Sequence, residues 1–377
     1  MRWSLRILTV SGIGIYVHIT FLILVAWIGA IFFQSGGTVH AIHGVGLILA
    51  VFTCVILHEL GHALTAKRFG IRTKDIILLP IGGVARLERI PREPGKEFLI
   101  AIAGPLVNVV IAALLYGVFR LALPPISMEE IDEELIRRPG LRTFLIQLLT
   151  INVFMVVFNM IPAFPMDGGR ILRSALAAVM DYTRATRIAA AMGQGVAVIM
   201  GIVAIVYAHQ PFLLLVAVFV FLGAAGEAAA VQLRAAFQGL TTATGMMRSF
   251  RSLEKGDTLG RAVQLLLEGN QADFPIIEDG KVTGVLTRRQ LVASLKEKGV
   301  ETPVADVPLA KVEPVEAAAP LYKTHEEMAR QGVSSLPVLE NGSLVGWITS
   351  ENIAEVAMVR EALAHRGASR TPDLPRE

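Results

Sequence analysis

Long apolar runs separated by short charged breaks fill the first 240 residues, and beyond them the chain turns to short runs of strand and helix length. Six runs are long and apolar enough for a membrane helix, which needs about 20 mostly apolar residues. They cover 12–33, 43–65, 98–123, 144–163, 188–208 and 211–233. Arg2 and Arg6 precede the first, as in a secretory leader, but no small-residue cleavage site follows and further spans do, so it reads as a true span. Gln147, Asn152 and Asn159 interrupt the fourth. Polar residues at that depth usually face the bundle interior and often serve function.

Residues 245–360 contain a repeat: 274–287 (FPIIEDGKVTGVLT) matches 336–349 (LPVLENGSLVGWIT). Each copy reads as a strand, a turn at Asp279-Gly280 or Asn341-Gly342, a second strand and a helix. Amphipathic helices are expected before the copies, near 258–269 and 320–331. The predicted organisation is a membrane domain over 1–240, repeat modules over 245–303 and 304–363, and a polar tail over 364–377, expected to be disordered.

Composition sharpens this division. Hydrophobic residues make up 53% of the 377 and charged residues only 18%, against about 25% charged in soluble domains. The net charge is +3. Lys and Arg lie beside apolar runs, which points to a membrane surface and away from nucleic acid. Basic residues also orient membrane proteins, since they favour cytoplasmic loops. Lys67, Arg68, Arg72, Lys74, Arg86, Arg89, Arg92 and Lys96 follow the second span, and Arg170, Arg173, Arg184 and Arg187 follow the fourth. The loops after spans one and five carry none, and the loop after span three balances Arg137, Arg138 and Arg142 against acids. Both termini and the repeat modules are therefore expected in the cytoplasm. Cys54 is the only cysteine, which excludes an intramolecular disulfide and a multi-cysteine zinc site. It reads as a small buried thiol.

The second span ends in His58-Glu59-Leu60-Gly61-His62. Ionisable groups at the end of an apolar helix are costly and need a reason. Residues i and i+4 share a helix face, so His58 and His62 can ligate one metal, with Glu59 beside it as a base. Catalytic zinc takes three protein ligands and leaves a fourth position open. His18, His40, His43, His209 and His325 are poorly placed for the third. Asp167 follows span four, which ends on the same side as span two, and Pro162 and Pro165 free the segment before it from helical structure. Asp167 is thus a candidate third ligand, with a helix cap as the alternative role.

His58-Glu59-x-x-His62, Gly104-Pro105-x-x-Asn108 at the expected opening of span three, and Asn159-x-x-Pro-x-x-Pro-x-Asp167-Gly-Gly together resemble the site-2 protease family of intramembrane zinc metalloproteases. Met166 stands where that family more often has Leu. The repeat resembles paired cystathionine-beta-synthase (CBS) modules, so the chain looks like the prokaryotic branch that carries them. The resemblance implies an α-helical polytopic membrane domain of six transmembrane helices with a short membrane-associated β-hairpin, plus a soluble α/β CBS tandem. It makes His58, His62 and Asp167 zinc ligands and Glu59 the general base. Asn159 would bind substrate or the developing oxyanion, or form an interhelix hydrogen bond. Gly82 and Gly83 resemble the family's hairpin, whose edge can pair with an unwound substrate, although a plain glycine turn fits the same residues. Gly104, Pro105 and Asn108 read as helix-packing and helix-start residues. CBS pairs commonly bind adenine nucleotides such as ATP or AMP, which would place Thr287, Gln290, Thr349 and Asn352 at ligand sites. Gln290 and Asn352 stand where the family has a ribose-binding Asp. Such modules also often pair into homodimers.

The implied substrate is a membrane-spanning protein with helix-weakening residues near the cut. Two other readings stay open: a catalytically silent membrane sensor whose tail binds a nucleotide, and a metal transporter. A transporter would string ionisable groups across the bilayer, whereas these cluster at one end.

Overall fold

The computed structural model of the chain describes residues 4–80, 82–88, 91–122, 139–208, 210–269, 271–278 and 280–367. Ile81, Arg89, Leu123, Arg137, Arg138, His209, Asp279 and the tail from 368 onward lie outside the described residues. Two compact units divide between Ala230 and Val231.

The first unit opens with a sheet that hydropathy alone did not disclose. Strands β1 (Ser4–Val10) and β2 (Ile13–His18) pair antiparallel. Ser11 (φ 52°) and Gly12 (φ 88°) make the turn, the pair of positive angles that a tight hairpin needs. The first span therefore begins at Ile19 and not at residue 12. Residues 13–18 are apolar, but Ile15 and Val17 are buried with a strand's alternation, and His18 accepts from Thr20 N at the helix start. β2 lies parallel to β3 (Thr73–Leu79), and β3 pairs antiparallel with β4 (Gly82–Leu87), which ends the sheet order.

Helix α1 (Ile19–Arg68) contains residues 19–33 of the first expected span and all of the second. Fifty helical residues in line would measure about 75 Å, more than twice a bilayer core. Gly36 and Gly37 break the helical angles, with φ at Gly37 of 76°. A Cβ placed on Gly29 would meet Val45, and one on Gly44 would meet the Phe32 ring. The two arms therefore lie against each other. α2 (Pro94–Ala122), α3 (Leu141–Asn159), α4 (Asp167–Ala177), α5 (Tyr182–Val203) and α6 (Pro211–Ala236) follow.

Among the described residues, five helices are long and apolar enough to cross a membrane; α4 is too short. Their packing is the reverse of a soluble protein's. Leu114, Phe154, Ile199, Leu215 and Leu222 are 63 to 65% exposed, while Ala189, Ala190, Ala197 and Ala224 are buried between helices. Lipid removes the drive to bury large apolar groups and leaves close helix approach through small residues. α1 crosses α2 at Gly61, where a Cβ would stand 2.8 Å from Ala103 O.

The orientation reading also needs a correction. Arg173 is a wholly buried member of an ion cluster, so it is no loop charge.

The second unit contains two similar halves. The first has α7 (Leu259–Glu268), hairpin β5–β6 (Phe274–Glu278 and Lys281–Leu286) and α8 (Arg288–Lys298) around Leu259, Phe274, Ile276 and Leu286. The second has β7 (Val315–Glu316), α9 (Leu321–Gln331), hairpin β8–β9 (Ser335–Glu340 and Ser343–Thr349) and α10 (Ser350–Gly367) around Leu321, Leu336, Val338 and Ile348. α10 runs four residues past 363, so the tail does not begin at 364. Buried Asp273 joins the halves. It accepts from Ser334 and Ser335 hydroxyls at 2.7 Å each and from Arg288 N at 2.9 Å.

Hydrogen bonds to a buried charge contribute about 1.5–3 kcal/mol each, so Asp273→Ala should destabilise this unit by about 3 kcal/mol, the serines keeping part of their bonding elsewhere. Urea-dependent hydrogen exchange in β5 and β8 measures the loss.

Candidate metal centre

α1 presents His58 and His62 one turn apart on the face toward α2. Asp167 opens α4. His58 Nε2 and His62 Nε2 each lie 3.1 Å from Asp167 Oδ2 and 3.1 Å from each other. All three residues are buried. His58 Nδ1 is 2.5 Å from Asn108 Oδ1, and His62 Nδ1 is 2.7 Å from Ile100 O. Each partner is an acceptor, so each Nδ1 carries the proton and donates. A neutral imidazole then has a lone pair at Nε2. Two nitrogen lone pairs and a carboxylate oxygen thus converge, an arrangement that calls for a cation among them. Ligands about 2.0–2.1 Å from a tetrahedral zinc stand about 3.3 Å apart, close to the triangle observed. Among the described residues, this is the one cluster of three such ligands.

The surroundings hold the ligands in place. Asn108 Nδ2 donates to Asn152 Oδ1 at 2.8 Å, and Asn152 Nδ2 donates to Leu148 O at 2.8 Å and toward Cys54 Sγ at 3.4 Å. The chain of donors fixes both amide orientations and, with them, the His58 tautomer. A Cβ on Gly104 would stand 2.2 Å from His62 Nε2 and 2.7 Å from His58 Nε2, so only glycine leaves room for the rings. Gly104, Pro105 and Asn108 lie well inside α2 and not at its start, which corrects the helix-start part of their sequence reading. Gly104 and Asn108 belong to a motif that the sequence displays, but their work on the histidine rings was not read from it; Asn152 was signalled by its polar interruption of an apolar run.

At Asp167 the geometry separates the two roles open in the sequence. Residue 166 is the cap of α4 and makes no side-chain cap bond, while the Asp167 carboxylate points to the histidines. Gly168 and Gly169 let the preceding segment fold onto the start of α4; a Cβ on either would fall within 2.5 Å of Ile161 or Phe164 backbone. The Phe164–Pro165 peptide is cis.

Half-buried Glu59 accepts from Ala85 N on β4 at 3.2 Å. A Cβ on Gly83 would meet Glu59 Cγ at 2.9 Å, so glycine brings the strand this close. The ligands and Glu59 border a cavity of about 320 Å³, which Gly82, Gly83, Asn159 and Arg170 also line. Asn159, Gly82 and Gly83 are therefore beside the ligands. His43 is spent on Gln147, and His18 on Thr20.

In the second unit, Thr287 and Gln290 form a capping box at the start of α8, and Thr349 caps Asn352 N at the start of α10. A cavity of about 280 Å³ between the hairpins is lined by Lys281, Thr283, Lys311 and Pro337, but by none of those four residues.

The pattern of Peptidase family M50 matches residues 46–204, and that of the CBS domain matches 243–297 and 304–358. Zinc metalloprotease MJ0392 of Methanocaldococcus jannaschii is 31% identical over 361 residues, which are 96% of this chain and 98% of that protein. The chain belongs to peptidase family M50, the site-2 proteases. Stage IV sporulation protein FB of Bacillus subtilis is 31% identical over 142 residues, 37% of this chain and 44% of that protein. A solved site-2 protease from Methanocaldococcus jannaschii is 37% identical over 60% of this chain and 95% of its own, with a TM-score of 0.45. The chain is thus a zinc metalloprotease with a CBS tandem, and its apolar helices make it a membrane protein. The three-residue cluster is compatible with the zinc that the family uses.

Purified protein should bind about one zinc per chain, and Asp167→Ala or His58→Ala should abolish it. Asn108→Ala should weaken binding by about 10–100-fold, as outer-shell losses do. Metal analysis and chelator competition measure all three.

Proposed function

We propose that this protein cuts membrane-spanning substrates inside the bilayer, with His58, His62 and Asp167 as ligands and Glu59 as general base. The observation that carries the reading is the convergence of three acceptors on one cavity that also contains Glu59. The chemistry that zinc supplies there is Lewis acidity, which acidifies water and polarises a carbonyl. Glu59 takes the proton from the attacking water and passes it to the leaving amine. The Ala85 N–H holds one Glu59 oxygen and leaves the other for the cavity.

β4 ends the sheet order, and Ala85 N turns away from β3 toward Glu59. By strand alternation Gly83 N turns the same way. An unwound substrate segment adding to this edge would bring its carbonyls past Glu59, with Asn159 across the cavity as a donor to the oxyanion. A helix hides its carbonyl carbons, so helix-weakening residues near the cut favour cleavage.

Counting the arms of α1 separately gives six crossings, and the basic residues after its second arm put both termini in the cytoplasm. Adenine nucleotide control and homodimer formation are proposed for the CBS tandem, whose presence is supported by the family matches at 243–297 and 304–358.

Glu59→Gln should keep zinc and lose about 10²- to 10⁴-fold in cleavage rate. Expressed in native membranes, that variant should accumulate uncut single-span proteins, visible by quantitative mass spectrometry. Unchanged cleavage would overturn the base assignment and revive the sensor reading. Calorimetric titration of the full chain with ATP and AMP tests the tandem. If Gln290→Ala and Asn352→Ala leave binding intact, those residues are helix caps alone.

A further inference from the structure

One buried guanidinium lies outside the reaction described above. Arg173 is on α4, six residues after Asp167, and is fully buried. Its Nε donates to Glu97 Oε1 at 2.7 Å, Nη2 donates to the same oxygen, and Nη1 donates to Glu227 Oε1 at 2.6 Å. The guanidinium carbon also stacks over the Phe164 and Tyr182 rings, 4.8 and 5.0 Å from their centroids. One side chain therefore ties α4 to α2, α5, α6 and the segment before Asp167.

Stability is a weak explanation for this cluster. Desolvation of buried ions offsets most of their attraction, and apolar replacements of similar volume are often as stable. Here two carboxylates face one cation, and Glu97 Oε2 is buried without a hydrogen-bond partner. Position is the better explanation. Glu97 stands three residues before Ile100, whose carbonyl orients His62, and on the same helix as Asn108, which orients His58. Asp167, the third ligand, starts the helix that carries Arg173. The Glu97–Arg173 pair thus fixes the element that aims the imidazoles against the element that carries the carboxylate. Metal sites require ligand distances within about 0.2 Å, so slippage of α4 along α2 is directly felt. α6 contributes Glu227, and at Gly223 it meets the Pro165 ring, where a Cβ would stand 2.9 Å away.

We propose that Arg173, held by Glu97 and Glu227, is a positioning residue for the metal centre, locking α4 so that Asp167 closes the three-ligand set. α6 is also the last helix before the CBS tandem in sequence, so Glu227 makes the lock depend on that helix. This inference rests on the metal-site reading of the three ligands.

The experiment compares full-length wild type, Glu227→Gln and Arg173→Lys in detergent. Chelator competition gives zinc affinity, the cobalt-substituted absorption spectrum gives ligand geometry, and thermal unfolding of the metal-free protein gives stability. The expected result is zinc binding about 10–100-fold weaker in both variants, with an altered cobalt spectrum and near-wild-type unfolding. Lysine should not rescue, because it lacks the planar fork. Folded variants with wild-type affinity and spectrum would overturn the proposal and leave the cluster a structural role. If Arg173→Lys does not fold, Glu227→Gln decides alone, since its carboxylate is partly exposed. A wild type that binds neither zinc nor cobalt would instead refute the ligand reading, and the lock with it.

Discussion

Two imidazole nitrogens and one carboxylate oxygen, each an acceptor, are held 3.1 Å apart in a buried site. Lone pairs so arranged repel unless a cation lies among them, and much of the membrane unit serves to hold them there. α2 supplies both groups that take the Nδ1 protons, and with them the tautomers. Gly104 provides space for the rings, and the folded segment before α4 delivers the carboxylate. Removing the support of either imidazole frees a ring to rotate or change tautomer, and the three acceptors no longer meet.

The centre was legible in part. His58, Glu59 and His62 follow from one helical turn. Asp167 follows from counting spans, because topology alone says which loops share a side. Gly104 and Asn108 were visible as a motif but their task was not, since it depends on where α2 crosses α1, a tertiary fact that no local pattern records. Arg173 was misread for a similar reason. A basic residue after an apolar run looks like a loop charge until its two carboxylate partners, 76 and 54 residues away, are placed beside it.

The fold shows the same limit. Spans and repeat were visible because hydropathy and self-similarity are local. The strand β2 was hidden because its apolar residues run into those of α1 with only His18 and Thr20 as polar breaks. A window wide enough to detect a membrane helix averages over the alternation that identifies a strand. The CBS tandem gives the converse case. Thr287 with Gln290 and Thr349 with Asn352 match a ligand-binding pattern, yet a helix needs the same spacing to cap its own N–H groups. Sequence spacing alone does not separate the two uses.

In the proposed reaction, Glu59 makes chemistry and substrate placement parts of one arrangement. The carboxylate is held by Ala85 N, on the strand whose outer edge faces the cavity. Gly83 permits that approach because any Cβ would strike Glu59. In the proposed reaction, a substrate strand that pairs with β4 is therefore positioned by the same backbone that positions the base. The register of that pairing decides which carbonyl stands before Glu59. Shifting the pairing by one residue turns the neighbouring carbonyl away from the cavity, because hydrogen-bonding direction alternates along a strand. In that proposal the edge would specify the bond to be cut as well as bind the segment that contains it, and a helical substrate would gain neither until it unwinds.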